Sequence, residues 1–135
     1  MSQHLQTGAR KTRSLTVTPE QTIDFMGEEA RVYSTPSLIA DIEHACRDLI
    51  VENTPEGTDS VGTRVSILHT APTLLGMAVT IDVMISQIEG PRVVFEVSAR
   101  DALEDICSGT HERFVVNLDK TKARLRAKAA RLSKG

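Results

Sequence analysis

The 135 residues suffice for one compact domain and leave little room for a second. Apolar residues make up 40% of the chain, and no apolar run approaches the ~20 residues of a spanning helix, which excludes a helical integral membrane protein. A formal charge of −2, with one Tyr, three Phe and no Trp, argues against a dedicated nucleic-acid binder, which needs a basic surface or aromatic platforms for bases.

Residues 1–13 read as a polar, partly basic leader without the apolar stretch of a secretory signal. A single domain is expected over 14–135, in the cytoplasm. Ser14 to Thr18 alternates up to Pro19 and predicts a short strand. Residues 20–34 have no clear period and read as a loop with at most one helical turn. Thr35 and Pro36 then open the strongest helix, with Thr35 suited to cap it and Pro36 to its first position. Leu38, Ile39, Ile42, Ala45, Cys46, Leu49 and Ile50 follow at helical spacing and give one buried face. The pattern ends near Glu52, where Asn53-Thr54-Pro55-Glu56-Gly57 is a stop signal.

The rest reads as strand up to Leu118. Val61, Thr63, Val65, Ile67 and His69 alternate onto one face, expected to meet the helix. Met77 to Ile85 and Val93 to Ala99 alternate likewise, joined by the turn Glu89-Gly90-Pro91-Arg92, and a last run spans Ile106 to Leu118. Long strands with short connections imply an antiparallel meander. Residues 120–132 set Ala and Leu among bases and predict a helix. Cys46 and Cys107 have no CxxC neighbour and read as small core residues.

This order is that of an α+β hotdog fold: a curved antiparallel sheet wrapped around one long central helix, with a C-terminal helix. Periodicity alone leaves a cystatin-like or other α+β roll open. Charge is unevenly spread. Residues 19–60 hold ten acids and two bases, a local −8, while residues 119–135 hold one acid and seven bases, a local +6. Such a basic end is either a solvated helix terminus or a holder of phosphates.

Three polar residues carry candidate chemistry, each with a plainer explanation beside it. Glu43 borders the buried helical stripe, where a carboxylate suits acid–base work, or it simply pairs with Arg47 one turn on. His69 falls in phase with the strand's apolar residues, as a catalyst or a hydrogen-bonded core histidine. Thr35 is fully explained by capping.

The runs Thr35-Pro36-Ser37-Leu38-Ile39-Ala40-Asp41-Ile42-Glu43-His44-Ala45-Cys46, Val61-Gly62-Thr63, Leu68-His69-Thr70-Ala71 and Gly109-Thr110-His111-Glu112-Arg113 together resemble the fluoroacetyl-CoA thioesterase family of hotdog acyl-CoA thioesterases. The likeness runs from about Ser14 to Lys128. It implies a catalytic group of Thr35, Glu43 and His69. It implies a backbone amide at Gly62 that helps hold the thioester carbonyl, and Arg113 near the substrate. It also implies a homodimer with acyl-CoA sites shared between chains, assembly beyond the dimer being left open, and neither metal nor organic cofactor.

A thioester suits these groups, because its carbonyl is electrophilic and thiolate leaves readily. The site needs a carboxylate or imidazole to attack or to activate water, and donors for the oxyanion. Here Glu43 and His69 would serve as nucleophile or base and as proton shuttle, with Thr35 orienting. One departure stands out. The family's fluoroacetyl-specific enzyme has a phenylalanine-lined lid, whereas residues 19–34 here are acidic and offer only Phe25 and Tyr33. The expected substrate is therefore a short or medium acyl-CoA of open identity, with CoA phosphates a possible use for the basic tail. The alternative is a non-catalytic acyl-CoA binding or sensing protein. No nucleic-acid or membrane partner is expected.

Overall fold

A computed structural model describes residues 4–134. Five strands, β1 (Arg10–Thr16), β2 (Thr58–His69), β3 (Ala78–Glu89), β4 (Arg92–Asp101) and β5 (Asp105–Asn117), form one antiparallel sheet in the order β1-β3-β4-β5-β2. Helix α1 (Thr35–Glu52) lies across its inner face, and α2 (Leu118–Lys134) continues from β5. This is the hotdog arrangement. The meander holds for β3, β4 and β5, while β2 lies beside β5 at the far edge.

The core forms where two periodicities meet. Leu38, Ile42, Ala45, Cys46, Leu49 and Ile50 on α1 face Val79, Ile81, Val83 and Ile85 of β3 and Val93, Phe95, Val97 and Ala99 of β4, all buried. Gly90 takes φ +57 in the two-residue turn between β3 and β4, as primed hairpin turns require. Cys46 and Cys107 are buried and unpaired, and burial pushes the Cys107 thiol up to about 11. Most of α2 is exposed, Leu125 and Leu132 included.

Two sequence expectations are corrected. β1 begins at Arg10, so residues 10–13 are strand and not leader. Their inward side chains are cationic, and they reach α1 through ion pairs: Lys11 Nζ lies 2.6 Å from Glu52, and Arg13 3.5 Å from Asp41. On β2 the register shifts between Gly62 and Arg64, so a bulge reverses the side-chain phase. Val61 consequently turns to the outer face opposite Phe114, and Gly62 turns inward opposite Arg113.

Asp41 is a charged residue on the buried face of α1, only 6% exposed. Its carboxylate accepts from Tyr33 Oη and from Gln21 Nε2 at 3.1 Å, besides facing Arg13. These contacts fasten both ends of the 20–34 segment to the helix. Asp41→Ala should lower stability by about 2–3 kcal/mol, because it orphans a buried tyrosine hydroxyl and a partly buried guanidinium. Denaturant unfolding checks this, and a loss below about 0.5 kcal/mol, the size of an ordinary surface change, would remove the anchoring role.

Candidate active site

Helix α1 and strand β2 position the groups singled out from sequence. The helix is capped by Ser34, whose side chain accepts from the Ser37 amide at 3.2 Å, so Thr35 is its first helical residue and not its cap. That frees the Thr35 hydroxyl. Thr35 Oγ1 lies 2.7 Å from His69 Nδ1, across the gap between the start of α1 and the end of β2. The other ring nitrogen, His69 Nε2, is buried without a hydrogen-bond partner among the described residues. Burial holds the His69 pKa below the usual imidazole value, favouring the neutral ring that can take up a proton. Thr35 and His69 line an open cleft of about 370 Å³ with Phe25, Tyr33, Ala71 and Pro72. The Phe25 ring is 79% exposed there, whereas the Tyr33 hydroxyl is tied up by Asp41.

Glu43 sits elsewhere. Its expected partner Arg47 pairs instead with Asp59, through bonds of 3.0 and 2.7 Å. The Arg47 guanidinium holds the Asp59 carboxyl below its usual range. Glu43 Oε2 instead accepts from Arg113 Nη1 at 3.4 Å, and its side chain is 40% exposed in the single chain rather than enclosed. Glu43 and Arg113 line a second, smaller cleft of about 210 Å³ with Ala40, His44 and Arg47. Gly62 closes this cluster. A Cβ there would lie 2.7 Å from Glu43 Oε2, so glycine is what admits the carboxylate beside the strand.

The chain therefore brings the expected residues together as two groups, not one. Thr35 joins His69, and Glu43 joins Gly62 and Arg113. Eight residues along an α-helix span about 12 Å, with side chains about 80° apart around the axis. In the single chain the two groups line separate clefts.

Sequence reasoning gave no role to Ser60 and His111, which hold Arg113. Arg113 Nε donates to Ser60 Oγ at 2.7 Å and Nη2 to the Ser60 carbonyl at 3.0 Å, while Nη1 reaches His111 Nε2 at 3.2 Å. Burial lowers the Arg113 pKa, with Glu43 opposing the shift, and an arginine stays charged regardless. The period of two along β5 was the available signal: His111 and Arg113 share a face, and the bulge brings Gly62 onto it.

Comparisons with known proteins show the family of the chain. The family described as fluoroacetyl-CoA-specific thioesterase matches residues 17–119. The chain is 33% identical to the fluoroacetyl-CoA thioesterase of Streptantibioticus cattleyicolor over 135 residues, 95% of this chain and 97% of that protein. A solved structure of fluoroacetyl-CoA thioesterase superposes with a TM-score of 0.82 at 33% identity, covering 92% of this chain and 97% of that one. A hypothetical protein of Thermus thermophilus, a thioesterase superfamily member, gives a TM-score of 0.86 at 29% identity over 96% of this chain and 97% of its own. The chain belongs to the fluoroacetyl-CoA-specific thioesterase family and is a hotdog-fold thioesterase.

Proposed function

We propose that the protein hydrolyses a short or medium acyl-CoA to free acid and CoA, as a homodimer whose two sites each draw on both chains. The observation that carries this reading is the separation of the two groups: a hydroxyl–imidazole pair in one cleft and a carboxylate–guanidinium pair in another. Two-fold pairing would set the Thr35–His69 cleft of one chain against the Glu43–Arg113 cleft of its partner, making two equal sites. Strand β2 offers the surface for it. It is an outer strand, and Val61 and Leu68, with Phe114 beside Val61, are exposed apolar residues on it or next to it. Solved relatives support the ligand class, since one fluoroacetyl-CoA thioesterase was crystallised with fluoroacetate and CoA.

In this reading Glu43 takes a proton from the attacking water, or attacks the carbonyl carbon itself to form an acyl anhydride that water then opens. His69 moves the proton to the leaving thiolate as the C–S bond breaks, and Thr35 orients the imidazole. The Gly62 amide and Arg113 stabilise the developing oxyanion. Water is the only co-reactant the balance requires. The 2.7 Å Thr35–His69 contact favours a second version, in which His69 takes the Thr35 proton, the hydroxyl oxygen attacks and the C–S bond breaks, His69 returns the proton to the thiolate, and water hydrolyses the acyl-threonine.

Fluorine selectivity is not part of the proposal, because the aromatic lining of the open cleft is confined to Phe25 and Tyr33. Thiol release from acetyl- through decanoyl-CoA, phenylacetyl-CoA and fluoroacetyl-CoA tests the activity. Turnover of at least one short or medium ester is expected. Binding of these esters without turnover of any would instead establish a sensor.

A further inference from the structure

His111 is fully buried on the inner face of β5, its ring stacked on Phe95 with centroids 6.3 Å apart. Its two nitrogens have different partners. Nδ1 lies 2.8 Å from the Arg64 carbonyl oxygen, which can only accept, so Nδ1 bears the proton and donates. Nε2 lies 3.2 Å from Arg113 Nη1, which can only donate, so Nε2 is the bare nitrogen and accepts. Both contacts together are possible for one species alone, the neutral ring protonated at Nδ1. A protonated ring would set N–H against N–H at Arg113. The charges around the ring are Arg113, Glu43 and Glu112, and burial, helped by Arg113, holds the pKa down against the two carboxylates and the Arg64 carbonyl.

This matters for Arg113 because four of its five N–H groups are directed. Ser60 takes one edge of the guanidinium through its hydroxyl and carbonyl, and Nη1 is divided between His111 and Glu43. The Glu43 contact is single and long at 3.4 Å, and Glu43 makes no other side-chain hydrogen bond among the described residues. Released from His111, the second Nη1 hydrogen would turn to the carboxylate and commit its other oxygen.

We propose that His111 is a positioning residue for the reaction: its bare Nε2 holds Arg113 to one long contact with Glu43 and so leaves the second carboxylate oxygen uncommitted in the cleft. The inference rests on the proposed role of Glu43. His111→Leu removes the acceptor, and His111→Gln places an amide oxygen near the same position.

The leucine variant should lose about 10²-fold in kcat, the scale of an ångström-size misplacement, with KM within about threefold of wild type. The glutamine variant should recover at least about tenfold of that loss. Equal losses in both variants, a loss confined to KM, or no loss would overturn the proposal. The wild-type protein gives a test that needs no variant to fold. With nitrogen-15 in its histidines, His111 should show a protonated Nδ1 and a bare Nε2 at pH 6.5, where a free imidazole is half protonated; a charged ring or the opposite tautomer overturns it. Failure of the Glu43 role itself reads differently. In that case Glu43→Gln retains turnover, whereas under the proposal it abolishes most of it, and adding His111→Leu to Glu43→Gln costs little more.

Discussion

Glu43→Gln should lower kcat on the best acyl-CoA substrate by about 10³-fold, the range set by losing a positioned base or nucleophile, with KM within about threefold. Glutamine keeps the length and shape of the side chain, and its amide oxygen can still accept from Arg113 Nη1. What it lacks is the ability to take a proton or to attack a carbonyl. Arg113 is 5% exposed and loses its nearest counter-charge in this variant, so thermal stability is measured beside activity. A kcat within about tenfold of wild type, below what general catalysis contributes, would reduce Glu43 to a holder of Arg113. The same assay separates the two versions of the chemistry. If Thr35 is the attacking group, Thr35→Ala costs more than Glu43→Gln, and an acyl group accumulates on Thr35 when deacylation is slow. If Thr35 only orients His69, Thr35→Ala is the milder of the two.

The parts of the molecule legible from sequence were those with a sustained period. The stripe from Leu38 to Ile50 and the alternation through Val79–Ile85 and Val93–Ala99 are governed by helix and strand geometry alone, and their residues lie buried as that geometry requires, except that Ile39 is only half-buried. Strand β1 was cut short because Lys11 and Arg13 point inward without being apolar; their partners are carboxylates on α1. The face of Val61 is not legible from alternation, because a bulge adds one residue to the local backbone without a fixed side-chain signature.

The candidate site was half legible for a related reason. Ser34 and Thr35 are adjacent hydroxyl residues with the same capping chemistry, and only the backbone decides which caps and which turns to His69. Arg47 was the obvious partner of Glu43 by helical spacing, but Asp59 takes it, and the actual partner lies 70 residues away on β5. Long-range pairing of this kind leaves no trace in a local pattern. Asp41 is an acid among apolar residues and resembles a solvated helix position; only Tyr33 and Gln21 against it make it a buried anchor.

The proposed sharing of each site between two chains leads to an expectation of equal size. His69→Ala and Glu43→Gln should each be nearly inactive as homodimers, since each damages both sites. A heterodimer of the two holds one site with neither lesion and one site with both. Random assembly from equal amounts makes half of the dimers mixed, so co-refolding the two dead variants should restore about a quarter of wild-type turnover. This measurement tests the central claim most directly, because it asks whether His69 and Glu43 of different chains serve one substrate. Recovery near a quarter, appearing only after the chains exchange, is the predicted result. Activity no greater than the sum of the separate variants, with mixed dimers present, would place each site within a single chain and contradict the account.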